Sequence, residues 1–405
     1  MLNFEEALGI VIERASFLGR IPVALEDSAG RILAETITAD LDLPPFDTTA
    51  MDGWALRAAE VQKLPASLAI AGSLFAGSMP KSPLAEGTAL KVMTGAPMPA
   101  GSDAVVPVES ARVLEGGRVE ILEAPKQGAH IRRQGEVFST GRPLLGPGRR
   151  LTPADLVLCA AAGRESLSVC RRARAGVLVT GDEIAFPGHP PGPGQIRNTN
   201  GPLLLGTFRR LGAETLDLGG VKDGRTAMTS RLESALALNL DFLVTTGGVS
   251  AGDSDLVAEI LSKLSAEIVF HKVAIRPAKP LLFAVLGKTL LFGLPGNPVS
   301  AAVAFDLFVR AAWRRASGIT PAFPQAVEAA LTASAQNRGG RLAFLPGHLQ
   351  SRKGRLEATP IASKGSHDIA AHAAANAYIV LEPEASLSPG DRVDAYPGTE
   401  ETTLG

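Results

Sequence analysis

The sequence predicts a multidomain fold of α/β and β parts, in which a doubly wound α/β domain accompanies a split helical domain, a β insert and a C-terminal β domain. Three observations support this prediction. The chain has 405 residues, more than one hydrophobic core usually holds. Strand-like and helix-like segments alternate in residues 173–320, which indicates a mostly parallel sheet with right-handed crossovers. Short strand-like segments punctuated by glycine and proline fill residues 21–139 and 321–405.

Composition and charge exclude a general affinity for polyanions. The chain is 45% hydrophobic and its formal net charge is −1, so any anion must be bound locally rather than by an overall basic field. Its two cysteines lack metal-ligand spacing, which indicates free thiols in a reducing compartment. We see no signal peptide and no apolar run of membrane-spanning length, and we therefore expect a cytoplasmic protein.

Capping signals define the split helical domain. Asn3 precedes an amphipathic helix, and Thr152 precedes a second helix that ends before Gly163. The two helices have similar lengths. We expect them to pack together as one domain, residues 1–20 plus 140–172.

Sequence patterns also define the other three regions, which are the β insert, the α/β domain and the C-terminal domain. In the β insert, residues 21–139, Gly116-Gly117 joins two alternating runs as a hairpin. Residues 173–320 form the α/β domain. The four strand-like segments within residues 321–405 predict a small β-barrel or sandwich.

Glycine and acidic residues follow the strands of the predicted parallel sheet. Glu183 ends VTGDE after the first strand, and TTGGVSAGDSD places Gly247, Gly248 and Asp255 after the third. Ligands bind beyond the carboxyl ends of such strands. Glycines let a phosphate approach the backbone, and carboxylates tolerate a phosphate when a divalent cation lies between them. The sequence therefore predicts a phosphate ester bound with a metal ion, although each motif alone is equally consistent with a tight turn and a capping residue.

Further polar residues could complete this site. On an extended strand Lys272, Ala274 and Arg276 would face one way, either into the cleft or into solvent at an edge strand. Arg132 suits bidentate contact with an oxyanion, but it is equally consistent with a surface arginine. The third strand end also carries Thr246 and a serine, Ser250.

The sequence argues against a hydrolase or a zinc site. GSHD offers Ser366 and His367, but Ser366 or Asp368 can equally cap the following helix. We find no Ser-His-Asp order and no metal-type His/Cys spacing elsewhere in the sequence.

Eight motifs in order resemble the molybdopterin molybdenumtransferase family, which includes bacterial MoeA and the gephyrin E domain. The resemblance extends over nearly the whole chain. The motifs are PPFDTTAMDGWA, VMTGAPMPAGSDAVVPVE, IRRQGE, VTGDE, TTGGVSAGDSD, KVAIRPAKP, GLPGNPVSA and GSHD.

The resemblance implies an enzyme of molybdenum cofactor biosynthesis. Such a transferase takes adenylylated molybdopterin and molybdate as co-substrates, releases AMP and inserts molybdenum into the dithiolene with Mg²⁺. The implied subunit has four parts, ends in a C-terminal β-barrel and forms a homodimer. The implied active cleft lies between the α/β domain of one subunit and the β insert of the other.

The resemblance also implies roles for residues that match the family motifs. It assigns Mg²⁺ and pyrophosphate to Glu183, Asp223 and Asp255. It assigns the terminal phosphate or molybdate to Lys272, Arg276, Lys279 and Ser366, with further substrate contacts at Gly247, Gly248, Ser250, Pro295 and Pro298. The residues implied to reach in from the partner subunit are Asp52, Thr94 and Arg132.

Three departures from the family pattern leave an alternative open. Val137 replaces an aspartate, Arg276 replaces a frequent lysine, and Ala278 replaces a glycine that would tolerate positive φ. Because valine can neither bind a metal nor take a proton, a catalytically weakened member that acts as a binding or scaffold protein is the second hypothesis. A third is a magnesium-dependent nucleotidyltransferase, which the β insert and the C-terminal domain argue against.

Overall fold

The computed structural model describes residues 1–186, 188, 190–247 and 256–398. Gly248, Ser250 and Asp255 of the predicted site lie outside these ranges. None of the described helices is both long enough and apolar enough to cross a membrane. The helices are α1 (Phe4–Arg14), α2 (Pro153–Ala161), α3 (Asn200–Leu211), α4 (Arg225–Leu236), α5 (Leu256–Lys263), α6 (Pro298–Ala304), α7 (Arg310–Ala316) and α8 (Ile369–Ala373).

The predicted caps of α1 and α2 are confirmed. Asn3 Oδ1 accepts a hydrogen bond from the Glu6 N–H at 2.8 Å, and the Glu6 carboxylate in turn accepts one from the Asn3 N–H. Thr152 and Asp155 make the same reciprocal capping box at α2, where Pro153 is the first helical residue. These bonds satisfy amide groups that the helices leave free at their first turns.

The predicted packing of α1 against α2 is wrong. Phe4 of α1 lies 5.8 Å from Phe308 and 5.1 Å from Phe344 between ring centroids, within the largest hydrophobic cluster. Cys159 of α2 lies in a separate cluster that includes Leu33. An amphipathic pattern shows that a helix has an apolar face but not which element covers that face.

The β insert forms a six-stranded sheet in the order β7-β4-β6-β5-β9-β8. The predicted hairpin joins β8 to β9, with Gly116 at φ +78° and Gly117 at φ +72°. The strands between the N-terminus and α2 are β1 (Arg20–Ala24), β2 (Ile37–Thr38), β3 (Thr48–Thr49), β4 (Gly53–Leu56), β5 (Ala66–Leu74), β6 (Thr88–Val92), β7 (Ala104–Pro107), β8 (Ala111–Leu114), β9 (Arg118–Ile121), β10 (Ile131–Arg132) and β11 (Pro143–Leu145).

A second six-stranded sheet lies at the centre of the chain. Its strands run in the order β16-β13-β17-β21-β20-β18, and β1 joins β12 beside it as an antiparallel pair. The strands of this part are β12 (Ser166–Cys170), β13 (Arg174–Thr180), β14 (Ile184–Ala185), β15 (Ile196–Arg197), β16 (Glu214–Val221), β17 (Phe242–Thr246), β18 (Glu267–Phe270), β19 (Ile275–Arg276), β20 (Leu282–Leu286) and β21 (Thr289–Leu294).

The central sheet is doubly wound, as predicted. Val244 of β17 faces the cluster that holds Phe208 of α3, whereas its neighbour Leu243 faces the cluster that holds Leu232 of α4 and Ile260 of α5. Both faces of the sheet are therefore covered by helices, which explains why its strands are continuously apolar.

Strand direction places the loop between β18 and β20 at the carboxyl edge of this sheet. Strands β16, β13, β17 and β21 are parallel, β20 is antiparallel to β21, and β18 is antiparallel to β20. Two reversals give β18 the direction of β21. The end of β18, and with it the loop that contains Lys272 and Arg276, lies at the edge where β13 and β17 end.

The C-terminal region is a barrel rather than a sandwich. Strand β24 pairs with both β25 and β26, so that the order β24-β25-β22-β28-β26 closes on itself, and β19 adds to β24 from outside the barrel. The strands are β22 (Val327–Leu331), β23 (Ala335–Gln336), β24 (Leu342–Arg352), β25 (Arg355–Pro360), β26 (Ala377–Leu381), β27 (Ser386–Leu387) and β28 (Arg392–Pro397).

Candidate active site

Three strand ends of the central sheet meet at one point. Thr180 Oγ1 at the end of β13 donates to the carbonyl of Thr246 at 3.0 Å. The Gly247 N–H donates to Leu294 O at the end of β21. Gly247 has φ +87°, and a Cβ there would lie 2.6 Å from Thr180 O, so only glycine fits this position. The predicted convergence of strand ends is therefore present in the described part of the chain.

A cavity of about 440 Å³ opens at this edge. Glu183 and Pro298 of the predicted site line it, together with Thr246 and Asn200. Its walls also contain apolar side chains, among them Ile184. The volume is typical of a small-molecule site.

Acidic side chains lie close together beside the cavity. The Asp223 N–H donates to Asp182 Oδ1 at 3.2 Å. Partial burial, followed by the charges of Asp182 and Glu183, raises the pKa of the Asp223 carboxyl above its ordinary value. Mutual repulsion of this kind is relieved when a cation binds between the carboxylates.

This donor set fits a hard divalent cation. Carboxylate oxygens are the ligands that Mg²⁺ takes from proteins, usually one or two at a time with waters or substrate phosphates completing the shell. Among the described residues, no three acidic, histidine or cysteine side chains are grouped so that they could hold a metal ion without such help. The third predicted ligand, Asp255, lies outside the described ranges.

Ser366 lies beside the start of α6. The Val299 N–H donates to Ser366 O at 3.2 Å, and the next residue, His367, lines the cavity. Asp368, not Ser366, caps α8, because Asp368 Oδ1 accepts from the Ala371 N–H. The Ser366 hydroxyl is therefore not used as a cap and remains available to a ligand.

The basic loop extends from Lys272 to Lys279 beyond the same sheet edge. Val273 and Ile275 are fully buried, whereas Arg276 is exposed, so the alternation predicted for this segment holds although only Ile275–Arg276 is a regular strand. Ala278 takes φ +74°. The glycine-like turn suspected from the sequence is thus present, with alanine in it.

Pro295, Gly296 and Asn297 connect β21 to α6. Asn297 is the N-cap residue and Pro298 the first helical residue, but the Asn297 side chain makes no capping bond. The Gly296 carbonyl accepts from Asn200 Nδ2 at 2.8 Å. This bond ties the turn to the first residue of α3.

Asp52 and Thr94 are in contact in a different part of the chain, the insert region, which also contains Arg132. Asp52 Oδ1 accepts from the Thr94 N–H at 2.7 Å and from Thr94 Oγ1 at 2.8 Å. Arg132 pairs with Thr48 in the short sheet of β3 and β10. These residues belong to the insert region, whereas Glu183 belongs to the central sheet.

Two hydrogen bonds from Thr94 favour the charged form of the Asp52 carboxyl group. The Thr94 N–H and then its hydroxyl hold the pKa of Asp52 below its ordinary value.

We expect Thr94→Val to raise the Asp52 pKa and to lower turnover about tenfold, since a bond to a charged group is lost. NMR titration of the Asp52 carboxyl measures the shift. Thr94→Ser keeps the hydroxyl and is the control; an unchanged Asp52 pKa in Thr94→Val would contradict this role.

Val137 lies at the surface, beside a turn in which the Glu136 side chain accepts a hydrogen bond. Val137 is 55% exposed. Glu136 Oε2 accepts from the Arg133 N–H at 2.8 Å, and Arg133 is paired with Asp47 at 2.6 Å. Glu136 therefore uses one carboxylate oxygen, Oε2, in its own turn.

Thr180 and Asn200 were missed in the sequence, and Thr246 was noted but given no role. Asn200 opens an amphipathic helix, where asparagine is an ordinary capping residue. Thr180 and Thr246 end apolar strands, where threonine is common. The only signal was their position at the carboxyl edge of a parallel sheet.

Three consecutive regions of the sequence match models of known protein families. Residues 2–163 match the MoeA N-terminal region (domain I and II), and residues 176–315 match a probable molybdopterin binding domain. Residues 328–397 match the MoeA C-terminal region (domain IV).

Curated relatives and a solved structure resemble the chain over almost its full length. It is 34% identical to the molybdopterin molybdenumtransferase of Haemophilus influenzae over 401 residues, 98% of both chains. It is 35% identical to the Bacillus subtilis protein of the same name, covering 89% of this chain and 85% of the relative. A molybdopterin biosynthesis MoeA protein from Pyrococcus horikosii superposes with a TM-score of 0.85 at 31% identity, covering 98% of this chain and 99% of that structure.

Proposed function

The chain belongs to the MoeA family of molybdopterin molybdenumtransferases, and from this membership we propose that it acts at the carboxyl edge of its central sheet. The family resemblance seen in the sequence is thus confirmed. The protein is a transferase of molybdenum cofactor biosynthesis that inserts molybdenum into molybdopterin. We propose that its substrates are adenylylated molybdopterin and molybdate, and that it releases AMP.

One observation carries the proposal: acidic side chains and a cavity of about 440 Å³ occur at the same strand ends. Glu183 lines the cavity, and its charge contributes to the raised pKa of Asp223. Glu183 and Asp223, with Asp255, would hold Mg²⁺, which when bound would neutralise charge on the pyrophosphate.

The remaining predicted residues would bind and orient the substrates. Gly247, with Gly248 and Ser250, would let the substrate approach the backbone at the end of β17. Pro295 and Pro298 would fix the turn that borders the cavity. The terminal phosphate or molybdate would be bound by Lys272, Arg276, Lys279 and Ser366. Cationic and hydroxyl donors are the groups that a tetrahedral oxyanion requires.

Asp52, Thr94 and Arg132 would reach the cavity from a partner subunit. Their location in the insert region supports a site shared between the two copies of a homodimer. The division proposed from the sequence fits this arrangement, with 21–139 facing the partner's 173–320. We place the enzyme in the cytoplasm, where its phosphorylated substrates are retained.

The test is turnover by the purified full chain. Given adenylylated molybdopterin, molybdate and Mg²⁺, the protein should release AMP and yield a product that contains molybdenum. Omission of Mg²⁺ or molybdate provides the controls. Tight substrate binding without AMP release would favour the scaffold hypothesis instead.

Val137 provides a direct test of the weakened-enzyme alternative. Because the side chain is exposed, Val137→Asp should change the free energy of unfolding by less than about 0.5 kcal/mol. We expect the rate of AMP release to be equal or higher, since the carboxylate can again bind a cation or a proton. A sharp loss of activity would show that the site is built around valine.

A further inference from the structure

Two buried polar atoms in the cavity lack hydrogen-bond partners. Thr246 is 1% exposed and Asn200 6% exposed, and both line the cavity at the strand ends. Within the described ranges, neither Thr246 Oγ1 nor Asn200 Oδ1 has a hydrogen-bond partner. Because an unpaired buried polar group is costly, such atoms in a binding cavity indicate a ligand that pairs with them.

The orientation of Asn200 restricts what that ligand can be. Its Nδ2 donates to the Gly296 carbonyl, which leaves Oδ1 as the free atom. An amide oxygen only accepts hydrogen bonds, so it disfavours a phosphate or molybdate oxygen and favours an N–H or O–H donor. The Thr246 hydroxyl can donate or accept.

The walls of the cavity indicate a partly apolar ligand. Ile196 is 59% exposed and Ile369 is 49% exposed, and both line this cavity together with Val179 and Ile184. Large aliphatic side chains left open to solvent beside polar groups are typical of a small-molecule pocket.

We propose that Thr246 and Asn200 bind the hydrogen-bonding edge of a nitrogen heterocycle of the substrate, with its amino group toward Asn200 Oδ1. This inference rests on the proposed function, whose substrate carries two such rings, a pterin and an adenine. Both present an amino donor beside a ring acceptor. Thr246 and Asn200 would determine specificity for the base, whereas the acidic and basic residues bind the phosphate end.

Thr245 provides a matched control on the same strand. It is also buried, at 3% exposure, and its hydroxyl also lacks a partner. Because successive side chains of a strand face opposite sides, Thr245 lies among Leu232, Leu243 and Leu261 on the apolar side. Thr→Val at either position replaces a hydroxyl by a methyl group of similar size.

The experiment measures the dissociation constants of AMP and of molybdopterin without its adenylyl group, by calorimetry with the full chain. We expect Thr246→Val to weaken one of the two ligands about tenfold, the effect of one lost hydrogen bond, and thereby to identify the ring. Thr245→Val should bind both ligands as the wild type does. Thr246→Ser should restore the affinity to within about threefold, because it keeps the hydroxyl. Thermal unfolding verifies that each variant is folded.

Two results would overturn the inference. One is wild-type affinity of Thr246→Val for both ligands, and the other is an equal loss in Thr245→Val. The rate of AMP release by the wild type distinguishes a failure of this inference from a failure of the proposed function. If wild-type protein releases AMP while Thr246→Val binds normally, only the inference is wrong; if the wild type neither binds these ligands nor turns over, both are wrong.

Discussion

Glu183→Gln lowers the rate of AMP release at least about 100-fold, the effect expected when a group that acts on the transition state is removed. Glutamine keeps the shape of the side chain but loses the charge that would bind Mg²⁺. Because Glu183 is exposed at the cavity, the substitution should leave the fold intact. AMP release under saturating substrate is the measurement, with circular dichroism to verify folding.

Glu214→Gln is the matched control for this prediction. Glu214 begins β16, whose opposite end precedes Asp223. Among the described residues, its side chain forms a single exposed ion pair, with Arg174 at 3.6 Å. Exposed pairs contribute little to stability, so this variant should turn over as the wild type does. Normal activity in Glu183→Gln, or an equal loss in Glu214→Gln, would contradict the assignment of Glu183.

We expect Asp223→Asn to lower the rate of AMP release by a factor similar to that of Glu183→Gln. We also expect it to make the ligand-free protein more stable. The pKa of Asp223 is raised in the folded state, so the folded state binds its proton more tightly than the unfolded chain does. The stability from this proton is present below the unfolded pKa and is lost as pH rises through the folded value. At pH 7 the charged carboxylate therefore destabilises the fold, and asparagine removes that penalty.

We expect the midpoint of thermal unfolding of Asp223→Asn to be about 1–2 °C higher than that of the wild type at pH 7 and low salt. The difference should vanish well below the ordinary pKa of aspartate, where the proton is bound in both states. Asp217→Asn on β16 is the control, because the Asp217 side chain accepts a local hydrogen bond from the Gly219 N–H and no other within the described part of the chain. A lower midpoint in Asp223→Asn at pH 7 would show that its charge is paired rather than repelled.

Much of the order of helices and strands could be predicted from the sequence because its signals are local. Asn3, Thr152 and Gly212 mark helix ends through capping chemistry that depends only on neighbouring residues. The apolar runs of β13 and β17 predict a sheet covered on both faces. The partner of α1 could not be predicted, because Phe4 meets Phe308 and Phe344 only after some 300 residues have folded.

The candidate site was predictable in its charged residues but not in its neutral ones. Glu183 stands out because it follows the buried strand β13, whereas Asp223 was assigned only through the family resemblance. Asn200 and Thr246 resemble ordinary cap and strand residues, and only the unpaired state of their oxygens in the folded chain distinguishes them. Ala278 was noted only because the family resemblance places a glycine there, and its φ of +74° shows that alanine adopts the glycine-like conformation. The burial of Val273 depends on contacts with the N-terminal segment.

A crystal soaked with AMP, molybdate and Mn²⁺ in place of Mg²⁺ tests most directly whether one sheet edge holds both the cation and the oxyanion. Anomalous scattering locates the manganese and molybdenum atoms separately. We expect manganese beside Glu183 and Asp223, molybdenum at the same edge toward Lys272 and Arg276, and AMP in the cavity between them. Manganese bound away from both carboxylates, or AMP bound in the separate cavity of about 420 Å³ lined by Arg210, His372 and Tyr378, would contradict the account.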